Sequence, residues 1–166
     1  MTPLVSVLIA SDRVHGSLSD CLSSLDRQEK APSFEVVVAS SASPRADGGL
    51  SFPCEWVRVE TRNPATRRNL AAARARGSVL AFLDDDAQAE PHWLEAGARA
   101  LETADFVGGP DLAPSEAPYL ERVSDLLLAT RPVLERVRSV EIDREYRKKQ
   151  AGLTPSDHAP VYADLG

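Results

Sequence analysis

Three stretches of the chain are apolar almost without a break instead of alternating, interrupted only by Ser6 and Glu35. Leu4 to Ala10, Phe34 to Ala39 and Val79 to Leu83 are dominated by Val, Ile and Leu, the pattern of strands buried on both faces. Between the first two, Leu18, Cys21, Leu22 and Leu25 recur at helical spacing behind Ser17, which is placed to cap that helix. Cys54 to Glu60 alternates weakly and predicts a third strand, which makes Val79 to Leu83 the fourth. "NPATRRNLAAARARG" lies between them, with Asn63 as N-cap, Pro64 at the first helical position, an alanine-rich body and Gly77 as C-cap. Pro91 opens a further helix carrying Trp93, Leu94, Ala98 and Leu101. Asp105 to Gly109 predicts a short fifth strand ending in a turn.

The order β-α-β-β-α-β-α-β predicts an α/β fold with a mostly parallel sheet and helices on both faces. In such sheets ligands bind beyond the carboxyl ends of the strands. Ser11, Asp12 and Arg13 follow the first strand there, Ser40 and Ser41 the second, and Asp84, Asp85 and Asp86 the fourth. The character changes from Glu116. Leu120, Val123, Leu127, Leu134 and Val137 keep a three-four spacing broken by Pro132, which predicts two helical segments, and Glu141 to Gln150 reads as the solvated end of a helix. The expected organisation is an α/β domain over 1–112, a helical extension over 113–150 and an irregular tail over 151–166.

Composition narrows the classes without naming one. The 166 residues suffice for one domain with a real core, and 43% hydrophobic with 27% charged residues is ordinary for a soluble protein. A net charge of -6 and the lack of a basic patch interleaved with aromatics argue against a nucleic-acid binder. Cys21 and Cys54 share no metal-ligand spacing, and Cys21, among leucines, reads as a small core residue. The first apolar run is too short to span a membrane and no basic segment precedes it. A cytoplasmic location is the default, and attachment to the inner face of a membrane stays open.

The chemistry concentrates in "SVLAFLDDDAQAEPHWLEAG". Three consecutive carboxylates repel one another unless they sit in open water or around a cation. A bare Asp triplet most simply makes an acidic turn. Here it follows a fully apolar strand directly, and Pro91 and Trp93 restart a helix at a fixed distance, so the carboxylates are held at the sheet edge. In that position Asp84 and Asp86 suit a divalent cation, with Asp85 turned aside. Hard oxygen ligands favour Mg²⁺ or Mn²⁺ shared with substrate phosphates.

The segment "RRNLAAARARGSVLAFLDDDAQAEPHWLEAG" closely resembles the central signature of the family-two glycosyltransferases. These carry an arginine-asparagine pair on an alanine-rich helix, a glycine, an apolar strand, an Asp-x-Asp motif and a proline-x-Trp-Leu helix start. "VSVLIAS", "FEVVVAS" and "FVGG" match more loosely, so the likeness covers about the first two-thirds of the chain. It implies a GT-A (Rossmann-like) fold and an enzyme that transfers a sugar from a nucleotide-diphospho-sugar donor to an acceptor hydroxyl, with inversion and metal assistance. Carried over by position, Asp84 approaches the donor's ribose, Asp86 is the direct metal ligand, and Arg68 of the pair Arg68-Asn69 approaches the donor.

The chain also departs from that family. Ser40 and Ser41 stand where an acidic residue usually meets the nucleotide base, and "ASDR", Ala10 to Arg13, replaces the usual Pro-Thr-x-Asn. The donor set expected here is therefore Asp84, Asp86, Arg68, Ser11, Asp12 and Ser40, with Asp86 and Asp84 toward the metal. Family members continue into a half that supplies the acceptor pocket and the catalytic base, and this chain reads as truncated before it. Asp157, His158 and Asp164 are the only late candidates for the base, without a supporting motif. The acceptor (glycan, lipid or small molecule) and a homodimer are left open. The competing reading is a non-catalytic module of the same fold that binds a nucleotide-sugar or a partner.

Overall fold

The computed structural model describes residues 2–12, 17–42, 49–109, 126–130, 139–142 and 161–164. Strands β1 (Val5–Ser11), β2 (Phe34–Ser40), β3 (Cys54–Arg58) and β4 (Val79–Asp84) form the parallel body of a six-stranded sheet. Two further strands, β5 (Phe106–Gly109) and β6 (Leu126–Thr130), complete it in the order β3-β2-β1-β4-β6-β5, with β6 antiparallel to both its neighbours. A separate two-stranded sheet pairs β7 (Ser139–Ile142) with β8 (Val161–Asp164).

Residues of β1 alternate between two cores, as the period of a strand requires. Val5, Val7 and Ile9 pack with Leu18, Cys21, Leu25 and Leu94, the buried side chains of helices α1 (Ser17–Asp26) and α3 (Trp93–Ala100). Leu8 turns the other way, with Val37, Leu80, Ala71 and Ala75, against α2 (Pro64–Arg74). The continuous apolar runs thus have the cause expected of them: helices cover both faces.

Local chemistry sets the helix ends. Asn63 caps α2, its side chain accepting from the amides of Ala65 and Thr66, with Pro64 behind it. Ser17 does not cap α1 from outside but is its first residue. Pro91 does not open α3; it lies in the turn before it. The helix begins at Trp93, and Gln28 accepts from the Leu94 amide at 3.0 Å in place of a cap from His92.

Gly77 is not the C-cap of α2 either, because that helix ends at Arg74 with Ala75 as its cap. Its small size is needed for close approach. A Cβ there would lie 2.7 Å from the Ser6 amide nitrogen and 2.8 Å from the Val5 carbonyl carbon. The Gly77 amide donates to Ser6 Oγ at 2.8 Å. Beside this contact Glu35, 2% exposed, accepts from Ser6 Oγ at 2.8 Å and from the Arg76 amide, Nε and Nη2 at 2.7, 2.7 and 2.5 Å. Ser6, Glu35 and Arg76 therefore tie β1 and β2 to the segment that leads into β4.

The expectation for the later residues needs correction where they are described. Leu126–Thr130 is a strand rather than part of a helix, since Val79 to Phe82 on one side and Phe106 to Gly109 on the other offer ladder partners. A short apolar run such as "LLLAT" is compatible with either state, and the sheet edge decides. Ser139–Ile142 and Val161–Asp164 are likewise strands, within ranges read as helix and irregular tail. The remaining residues of 113–166 lie outside the described set.

Candidate functional site

The parallel register brings the carboxyl ends of the strands level. Ser11 pairs with Ser40 across β1 and β2, and Ala10 pairs with Asp84 across β1 and β4. Beyond β4 the chain turns tightly, the Ala87 amide donating to the Asp84 carbonyl at 3.2 Å. The following segment is pinned to α1. Ser24 Oγ accepts from the Ala89 amide at 2.9 Å, and Gln28 Nε2 donates to the Glu90 carbonyl at 2.6 Å. The acidic turn therefore stands on a fixed base.

Its three carboxylates take different directions. Asp84 Oδ1 accepts from Arg68 Nη2 of α2 at 2.5 Å, an ion pair that remains partly open to solvent. Asp85 Oδ2 accepts from Ser11 Oγ at 2.5 Å, so this residue is turned toward the end of β1. Asp86 is exposed. Burial pushes the Asp85 carboxyl above the ordinary value; the Ser11 hydrogen bond opposes this, and the neighbouring charges of Asp86, Asp12 and Asp84 add to it. Under the turn, Cys21 Sγ meets the Asp84 carbonyl at 3.5 Å. Its thiol is pushed up to about 12 by burial and then by the Asp85, Asp86 and Asp84 charges. It serves as packing, not as a nucleophile.

Helix α2 supplies the opposite wall. Arg67 lies on the helix stripe shared with Ala71 and Ala75 and is 2% exposed. Its Nε donates to the Thr61 carbonyl at 2.7 Å and its Nη2 to Ser41 Oγ at 3.4 Å. At this edge is a cleft of about 240 Å³, lined by Asp84, Asp85 and Asp86, by Arg62, Arg67 and Arg68, and by Ala10, Asp12 and Pro64. A larger hollow of about 540 Å³ lies among Pro32, Phe34, Phe52 and Arg76, and no sequence-predicted residue lines it.

Of the predicted set, Asp84, Asp86, Arg68 and Asp12 line the cleft, and Ser11 adjoins it through Asp85. Ser40 does not. Its side chain is buried and its Oγ accepts from the Ala42 amide at 3.2 Å, which fixes the loop after β2. Arg67 was not among the candidates, although its spacing from Ala71 and Ala75 marks the buried face of α2. Arg13, Asp157 and His158 lie outside the described residues, and Asp164 is the last residue of β8.

Among the described residues no group of three or more His, Cys, Asp or Glu side chains converges as a metal cage. The donor set still fits a hard divalent cation. Mg²⁺ and Mn²⁺ are commonly held by one or two carboxylates and completed by water and phosphate oxygens. Exposed Asp86 at the cleft mouth offers such a carboxylate. Asp84, expected as a second ligand, is instead engaged by Arg68.

Comparison with known proteins puts these features in context. The family model described as "Glycosyl transferase family 2" matches residues 6–156. The chain is 39% identical over 90 residues to the uncharacterized glycosyltransferase YfnE of Bacillus subtilis, covering 49% of this chain and 22% of YfnE. It is 28% identical over 120 residues to the glycosyltransferase AglE of Haloferax volcanii, covering 64% of this chain and 39% of AglE. The mannosyltransferase PcManGT from Pyrobaculum calidifontis, solved in complex with GDP-Man and Mn²⁺, matches at a TM-score of 0.62 and 21% identity over 82% of this chain and 47% of its own. S. aureus TarS 1-349 in complex with UDP-GlcNAc matches at a TM-score of 0.59 and 21% identity, over 79% and 46% respectively. The fold is thus the GT-A fold of these neighbours, and the chain spans less than half the length of each of these four relatives.

Proposed function

Because the chain belongs to glycosyl transferase family 2, we propose that its cleft holds a nucleotide-diphospho-sugar for transfer of the sugar to an acceptor hydroxyl. The observation that carries this reading is that Asp84, Asp85 and Asp86 line one cleft at the strand ends together with Arg62, Arg67 and Arg68. The carboxylates suit a cation and ribose hydroxyls, and the guanidinium groups suit phosphate oxygens. Related proteins solved with UDP-GlcNAc or GDP-Man and Mn²⁺ support the same class of donor.

In this reading the donor's diphosphate lies near Asp86, and Asp84 faces the ribose with Arg68 beside it. Asp86 would be the direct ligand of Mg²⁺ or Mn²⁺. Such an ion, when bound, supplies positive charge against the negative charge that develops on the departing diphosphate. Arg68, which pairs with Asp84, adds a charged donor from α2 at the same edge that would meet a phosphate oxygen. Transfer with inversion needs a carboxylate base that takes the acceptor's proton as its oxygen attacks the anomeric carbon and the diphosphate leaves.

Calorimetric titration with UDP- and GDP-sugars, with and without Mn²⁺, tests the proposal. We expect cation-dependent binding of at least one donor that is lost in Asp86→Ala. Binding of none, or binding indifferent to both Mn²⁺ and Asp86→Ala, would overturn it. Cation-dependent binding without transfer to any offered acceptor would make this chain a donor-binding module.

A further inference from the structure

The larger hollow, of about 540 Å³, lies at the other end of the sheet from the cleft, where β1, β2 and β3 begin. Pro3, Phe34 and Pro53 line it from those strand starts, and Lys30, Ser51 and Arg76 from the segments that join the elements. Its volume is that of a cavity for a small organic molecule. Phe34 and Phe52 give the lining an apolar part, their ring centroids 5.1 Å apart and their planes tilted by 40°. Backbone hydrogen bonds hold the lining to the sheet. The Leu4 and Val5 amides donate to the Ser33 carbonyl at 2.8 and 3.1 Å, and the Val36 amide donates to the Pro53 carbonyl at 2.9 Å. A ligand would therefore meet walls already in place.

The charges around the hollow do not balance. Glu35 is the one carboxylate in the lining, and Arg76 already answers it through Nε and Nη2. Ser51 leads to Asp26, whose Oδ1 accepts from the Ser51 amide and hydroxyl at 2.9 and 2.6 Å. Glu29, next to Lys30 in the chain, has its carboxylate 3.7 Å from His92 Nε2. Lys30 itself has no hydrogen-bond or ion-pair partner among the described residues. One ammonium is thus left over beside an apolar hollow, in a chain whose net charge is -6. The Lys30 backbone is at φ 50°, a region that glycine or asparagine adopts more readily. The turn needs no lysine there, and the ammonium is what lysine adds.

We infer that this hollow binds a small organic acid, with its carboxylate on Lys30 and its apolar body against Phe34 and Phe52. One unanswered positive charge matches one carboxylate. The seven residues of β1, at roughly 3.3 Å each, put about 20 Å between this site and the donor cleft, so the two occupants do not compete.

Amide NMR titration of the 166-residue chain with phenylacetate, phenylacetamide and acetate tests the assignment. Phenylacetate should shift the amides around Lys30 and Phe52 in a saturable way. It should bind about tenfold tighter than phenylacetamide, which lacks the charge, the effect of one charge-assisted hydrogen bond. Acetate, which lacks the apolar body, should be weaker than phenylacetate as well. UDP with Mn²⁺ should leave these shifts unchanged. Lys30→Gly suits the backbone and removes the ammonium, so it should melt no lower than the parent and lose the preference for the acid; Lys30→Arg should keep that preference. No saturable shift around the hollow, a preference that survives in Lys30→Gly, or displacement of phenylacetate by UDP with Mn²⁺ would each overturn the inference.

Discussion

Replacing Glu35 should cost more stability than any single change on the surface. The carboxylate is 2% exposed and accepts four hydrogen bonds, from Ser6 Oγ and from three nitrogens of Arg76. Glu35→Ala strands the Ser6 hydroxyl and the Arg76 amide, and it opens a void between β1 and β2. Breaking a buried ion pair by removing one partner costs roughly 3–5 kcal/mol. The Arg76 side chain is 61% exposed and can rehydrate, which moves the expected value to the lower end, about 3 kcal/mol. For a chain of this length that lowers Tm by about 6–12 °C. Glu35→Gln keeps one acceptor oxygen but faces its amide toward the guanidinium, and should fall between the alanine variant and the parent.

The pH dependence separates this account from simple loss of packing. Burial alone would raise the Glu35 carboxyl, but the hydrogen bonds and charge of Arg76, with Ser6, hold it below its ordinary 4.5. A carboxyl held low contributes stability that is complete above the unfolded value and is lost as pH falls through the folded one. The gap in Tm between the parent and Glu35→Gln should therefore be widest at neutral pH and close in acid, where the protonated parent carries the same charge as the glutamine. Thermal melts and urea titrations between neutral pH and about pH 3 measure it. A Glu35→Ala variant within about 1 kcal/mol of the parent at neutral pH, or a gap that ignores pH, would refute the reasoning.

Two further outcomes are expected. Gly77→Ala sets a methyl 2.7 Å from the Ser6 amide nitrogen, backbone that cannot swing aside. The urea midpoint should drop by the equivalent of about 1–3 kcal/mol at unchanged m-value, and a variant as stable as the parent would refute the close approach. Asp85→Asn should raise Tm at neutral pH. The folded carboxyl is held above its ordinary 3.8, so its contribution is complete below the unfolded value and lost as pH rises through the folded one. The advantage of asparagine should vanish below about pH 3.8; an advantage that persists there would show that charge is not its cause.

The parallel body of the sheet could be read from the chain because its cause is local. Val36 to Ala39 offers no polar residue and Val5 to Ala10 only Ser6, and cover on both sides explains that. Asn63 followed by Pro64 is equally local chemistry, since a side-chain acceptor and a missing amide both belong to a helix start. The misreadings concern residues whose role is set by distant partners. The spacing of Leu120, Val123, Leu127 and Leu134 predicts a helix, whereas the β4 partners of Leu127 and Leu128, Phe82 and Ala81, lie far back along the chain. Gly77 resembles a helix stop until its distance from Ser6 is known.

The candidate site was legible in its carboxylates and only partly in its cations. Asp84 and Asp86 stand at the end of an apolar strand, and Arg68 belongs to the quoted signature, which is why the sequence alone points to these three. That Arg68 closes on Asp84, and Asp85 on Ser11, follows from how α2 and β1 approach β4, which no local spacing reveals. Ser40 ends β2 at the level of the site, but its hydroxyl is buried and taken up by the Ala42 amide. Arg67 and Arg68 are adjacent and look alike in the sequence, and only the buried stripe with Ala71 and Ala75 distinguishes Arg67.

The insertion of β6 between β4 and β5 has a consequence for how the protein is made. While the ribosome has released the chain only as far as Ala100, the four parallel strands and three helices can already assemble, but one flank of β4 has nothing to pair with. Phe106–Gly109 does not cover that flank in the finished sheet, where its neighbour is Leu126–Thr130. Until those later residues leave the exit tunnel, nascent copies on one messenger carry an adhesive strand. Slower synthesis across this stretch would prolong the exposure.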